Sequence, residues 1–134
     1  MKKIISLILV CAFVIGMALT LVSCGAPKKD PKKAKEALED NGYSVTLLEN
    51  ESLSVINTKG LEAYIFAYDE GDEQIYIYYF EDKASAKEAY ESFEEEYKSL
   101  KAAYESVGKD YNFKLGKSGK MIWLGTKEAI KAAK

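Results

Sequence analysis

Between Lys83 and Val107 the apolar positions Ala86, Tyr90, Phe93, Tyr97, Leu100, Tyr104 and Val107 step alternately by four and three. That spacing draws one stripe along a single long helix, opened by Asp82 as a cap and ended by Gly108. Before it, Leu61 to Asp69 and Glu73 to Glu81 are rich in β-branched and aromatic residues on either side of Glu70-Gly71-Asp72, which predicts a hairpin. Tyr43 to Glu49 alternates as a strand, and Leu53 to Thr58 is expected to form another after the polar turn Asn50-Glu51-Ser52. A last hairpin is expected from Tyr111 to Leu115 and Lys120 to Leu124 about Gly116-Lys117-Ser118-Gly119. Short helices flank these elements. One opens at Asp30-Pro31 and stops at Asn41-Gly42, and the other is capped by Thr126 and runs to about Ala133. The fold class is therefore α+β: an antiparallel sheet of about five or six strands with one long helix and short N- and C-terminal helices packed on it.

In the central hairpin Leu61, Ala63, Ile65 and Ala67 face one way, while Tyr64, Phe66 and Tyr68 face the other. How they combine with Ile75 to Phe80 depends on the turn. A two-residue Gly71-Asp72 turn places Tyr64, Phe66 and Tyr68 beside Ile75, Ile77 and Tyr79. A three-residue turn changes the parity and gathers Tyr64, Phe66, Tyr68, Tyr76, Tyr78 and Phe80 on one face. Either way both faces are apolar, and one long helix covers only one of them. Its Tyr and Phe stripe is expected over Ala63 and Ala67, because large groups fit against small ones. The other face, with Tyr64, Phe66, Tyr68 and Tyr79, must be covered by the remaining helices or meet a partner. Trp123 joins this candidate binding face by residue type, with burial in the core as its alternative.

The chain opens differently. Lys2 and Lys3 precede an apolar run from Ile4 to Val22, broken by Ser6, Gly16 and Thr20. A charged start, an apolar middle and small residues at the exit form the pattern of a signal peptide, although a run this long also suits a membrane span. Lysines on both sides of the run leave the orientation of such a span undecided by charge. Leu21-Val22-Ser23-Cys24 resembles the lipobox of bacterial lipoproteins: an aliphatic residue, a tolerant position, a small residue, then Cys. The resemblance covers the first two dozen residues. It implies a diacylglyceryl group on the Cys24 sulfur, cleavage after Ser23 and a membrane anchor on the extracytoplasmic side. The domain plan is then a removed signal peptide over 1–23, a lipidated Cys and basic tether over 24–30, and one domain over 31–134.

Charge divides the processed chain. Gly25 to Lys35 carries +4, Glu36 to Glu96 carries −14, and Tyr97 to Lys134 carries +6. The lysines after Gly25 suit either a solvated tether or contact with anionic headgroups. Arg is absent, so bidentate grip on phosphate or guanine is missing, and no nucleic-acid partner is expected. His is absent too, removing the usual proton shuttle near neutral pH and the commonest zinc ligand. With Cys11 in the leader and Cys24 acylated, no thiol is left for a disulfide, a nucleophile or a metal site.

The remaining motifs are weak. Gly116-Lys117-Ser118 is similar to the end of a phosphate loop, but the earlier Gly that such a loop requires falls at Tyr111. Ser106-Val107-Gly108-Lys109 matches Ser-x-x-Lys without its companion motifs. Asp69-Glu70-Gly71-Asp72-Glu73 lacks EF-hand spacing and reads as a solvated turn, and Glu94-Glu95-Glu96 reads as a wet helical face. Neither a cofactor nor a metal is implied. The expectation is a noncatalytic binding or interaction module on a lipid anchor, contacting protein or an envelope component. Its rivals are an envelope hydrolase built on carboxylates, which predicts a cleft of paired acids, and a component that self-associates through the aromatic face.

Overall fold

A computed structural model describes residues 26–56 and 58–134. The expected signal peptide and Cys24 lie outside the described residues. Helix α1 (Pro31–Asp40) leads into β1 (Ser44–Glu49), then a 3₁₀ helix (Asn50–Val55), β2 (Leu61–Tyr68) and β3 (Gln74–Phe80). Helix α2 (Lys83–Ser106), β4 (Phe113–Ser118), β5 (Met121–Thr126) and α3 (Lys127–Ala132) complete the chain. The five strands form one antiparallel sheet in the order β1-β2-β3-β5-β4, so the α+β architecture is as the residue pattern predicts.

Two caps work as expected. Asp30 Oδ1 accepts from the Lys32 N–H at 2.9 Å, and Asp82 Oδ1 accepts from the Ser85 N–H at 2.7 Å. Thr126 departs from expectation: it occupies the position before α3, but its side chain makes no bond to the helix. Its hydroxyl instead accepts from the Gln74 N–H across the sheet at 3.3 Å.

The expected strand at 53–58 does not form. Strands β1 and β2 pair with each other directly, Glu49 opposite Ala63, and the segment between them joins neither, although β1 is an edge strand. Asn50 turns the chain with a φ of 55°, and the segment winds as 3₁₀ with Val55 77% exposed. The last hairpin is tighter than expected. Ser118 pairs with Met121, leaving a two-residue loop in which Gly119 takes a φ of 61°, as the first position of a type II′ turn requires.

Two cores lie on the two faces of the sheet. Ala63, Ile65, Ala67, Ile75, Ile77, Tyr79, Met121 and Trp123 pack beneath α1 and α3, which contribute Ala34, Leu38, Ala129 and the following Ala133. Alanines on those helices let them approach closely. On the other face Phe80 and Ile122 are buried with Ala86 of α2, flanked by Tyr78, Ala89, Tyr90, Phe93 and Leu115. The long helix therefore does not cover Ala63 and Ala67 as expected. Large meets small only at the start of α2, where Ala86 and Ala89 face the Phe80 cluster; farther along, Phe93 packs on Tyr78.

The segment before α1 is no free tether. Pro27 is buried and Ala26 packs against the α1/α3 core. The Lys28 N–H donates to the Ala133 carbonyl at 2.9 Å, and the Lys28 carbonyl accepts from the Tyr79 hydroxyl at 2.9 Å.

Candidate binding face

The parity of the central hairpin decides which aromatics share a face, and Asp69 sets that parity. Its Oδ1 accepts from the N–H of Gly71 at 2.9 Å and of Glu73 at 3.2 Å, while its own N–H donates to the Glu73 carbonyl. This closes a three-residue loop over Glu70, Gly71 and Asp72, an Asx-type turn that outcompetes the two-residue form. Tyr64 then lies opposite Tyr78, Phe66 opposite Tyr76, and Tyr68 opposite Gln74.

These side chains line up as a row on one face, their rings touching in two groups. Phe66 stacks on Tyr76 with centroids 4.9 Å apart and also meets Tyr68 at 5.5 Å. Tyr64 meets Tyr78 at 5.1 Å, and Tyr78 is closed off above by Phe93 of α2 at 4.8 Å. Cover by the helix is thus partial. It buries Phe80 but leaves Tyr64, Phe66, Tyr76 and Tyr78 half-buried and Tyr68 47% exposed. Burial holds the Tyr64 and Tyr78 hydroxyls above the usual phenol range, with neighbouring tyrosines adding to it.

A second aromatic group continues beyond the sheet because α2 outruns it. At 24 residues the helix is about 36 Å long, against about 25 Å for the longest strand. Its last turns carry Leu100 and Tyr104 into solvent, and the returning chain folds Tyr111 back against Tyr97 and Tyr104 at 5.5 and 4.9 Å. The Tyr97 hydroxyl donates to the Phe113 carbonyl at 2.9 Å, fixing the helix to the start of β4. Leu100 and Tyr104 of the helix stripe thus join Tyr111, which the residue pattern puts at the start of the last hairpin and which here precedes β4.

The five residues proposed for the face do not stay together. Tyr64, Phe66 and Tyr68 share the α2 side, but Tyr79 and Trp123 lie on the opposite face, both 6% exposed beneath the short helices. The three-residue turn moves Tyr79 to the Ala63 side, and Trp123 is buried there over Gly116.

No family model, curated protein or solved structure matches this chain.

Three concave regions sit away from the row. One of about 410 Å³ lies at the end of the sheet near Lys29, Glu49, Glu62, Lys83 and Lys120, floored by Tyr79 and Met121. A shallower one of about 530 Å³ lies at the other end, among Tyr43, Asp69, Glu73 and Glu128, where burial and those carboxylates raise the Tyr43 hydroxyl to about 12. Beside α2, Glu95 and Glu96 border a third with Ser99 and Leu100. Among the described residues no group of three His, Cys, Asp or Glu is placed to hold a metal ion. Nor is any described helix long and apolar enough to cross a membrane.

Proposed function

We propose that this chain is an extracytoplasmic lipoprotein, held to the membrane through Cys24, whose domain is a noncatalytic binding module for a protein or envelope component. The anchor rests on Leu21-Val22-Ser23-Cys24 following an apolar run. The binding role rests on one observation above all: the row Tyr64, Phe66, Tyr68 and Tyr76 on a sheet face that α2 covers only in part. Aromatic side chains lose little rotamer freedom on contact and dominate interface energetics, so a row with one open side suits an occupant that completes the layer.

Crosslinking pull-down from membranes with the intact anchor tests this reading, using a Tyr64, Phe66 and Tyr68 triple alanine variant as control. The expected result is loss of a specific partner from the variant while its circular dichroism stays native. Equal recovery by both forms would discard the aromatic face. Sedimentation of the purified protein distinguishes a foreign partner from a second copy, because self-pairing through the same row would appear as a dimer that the variant abolishes.

A further inference from the structure

We propose that the face built from α1, α3 and residues 26–30 lies against anionic phospholipid headgroups, with α2 and the aromatic row pointing away from the bilayer. This rests on the reading of Cys24 as the lipid-bearing residue. Its basis is the length of chain left between that residue and the folded body. Ala26 already packs against the core, Pro27 is buried, and Lys28 is bonded through both its backbone groups. Only Gly25 intervenes, so the Cα of Cys24 is within about 7 Å of the Cα of Ala26. A body held that closely cannot tumble freely above its anchor.

Which side turns down follows from where the segment docks. Lys28 is bonded to Ala133, just after α3, and to Tyr79 on the face beneath α1 and α3. Helix α2 occupies the other side of the sheet. Charge points the same way. Residues 26–40 together with 127–134 carry eight Lys and five acids, a side-chain balance of +3. Helix α2 carries four Lys and six Glu, a balance of −2. Lys28, Lys29, Lys32, Lys33 and Lys134 are exposed and lie at or close to the docking segment. An anionic leaflet attracts that cluster and repels α2.

The experiment uses the full lipidated protein in phosphatidylglycerol-rich vesicles, with a fluorophore on a single introduced thiol, K32C on α1 or E95C on α2. Lipid-borne quenchers at headgroup depth should dim the label at 32 several-fold more than the label at 95. A Gly-Ser spacer of roughly 20 residues after Gly25, with a mean span of about 25 Å, should erase most of that contrast. Equal quenching at both sites, or stronger quenching at 95, would overturn the orientation. Mass spectrometry of the same sample reads the anchor separately. A leader still attached and a free thiol at Cys24 would remove the lipoprotein reading, and the orientation with it.

Discussion

Gly116 stands directly across from Trp123 in the β4–β5 ladder, and a Cβ at that position would overlap the indole ring. The absent side chain is what lets the ring lie flat over the neighbouring strand. Gly116→Ala is therefore expected to destabilise the domain by about 1–3 kcal/mol through overpacking. As Trp123 is the one tryptophan of the chain, its emission should shift to the red in the same variant. A denaturation midpoint equal to that of the parent would remove the packing argument.

The Asp69 turn offers a paired comparison. Asp69→Ala loses both acceptor contacts to Gly71 and Glu73, and should cost about 1–3 kcal/mol. Asp69→Asn keeps an acceptor oxygen in place, and urea titration should find it much closer to the parent. If both variants lost equal stability, the carboxylate charge rather than the hydrogen bonds would be responsible.

Tyr79→Phe isolates the bond that holds the segment before α1. It removes a hydroxyl whose partner is the Lys28 carbonyl, with an expected loss of about 0.5–1.5 kcal/mol. Amide hydrogen exchange should accelerate at Lys28, whose N–H is bonded to Ala133, more than at the centre of β3.

Alkaline pH should unfold the domain cooperatively. Tyr43 is raised to about 12, and Tyr64, Tyr78, Tyr79, Tyr90 and Tyr111 are raised as well, each first by burial. The folded state thus holds phenol protons that the unfolded state, near the ordinary value of 10.0, gives up. With more protons bound in the native form, stability falls as pH rises. It should be intact below about pH 9 and decline steadily above about pH 10. Denaturant midpoints unchanged across that range would contradict the burial of these hydroxyls.

The two halves of α2 should also differ. Residues from Lys98 to Ser106 are all exposed, whereas Ala86, Ala89 and Phe93 sit against the sheet. Hydrogen exchange is expected to be faster in the second half, with the Tyr97 bond to Phe113 marking the boundary.

Much of this fold was legible from residue pattern because its signals are local. Asp30-Pro31 and Asp82 announce helix starts through their own chemistry, and the stripe from Ala86 to Val107 needs nothing but helical geometry. What was not legible depends on choices between near-equal local options. Gly71-Asp72 suits a two-residue turn, and only the reach of the Asp69 carboxylate to Gly71 and Glu73 selects the longer one. That selection sends Tyr79 to the covered face and collects Tyr76 with Phe66 on the other. Leu53 to Thr58 has strand-like composition, but pairing is a tertiary matter, and the chain turns at Asn50 instead of running along the free edge of β1.

The backbone bonds of Lys28 also decide how the domain bears load. A pull transmitted from the amino-terminal side arrives at one residue and divides at once between Tyr79, 51 positions along the chain, and Ala133 beyond α3. Tension is shared by the middle strand and the last helix before any ladder of the sheet is stressed. Such a pull would peel this clasp first, leaving the five-stranded scaffold to yield later.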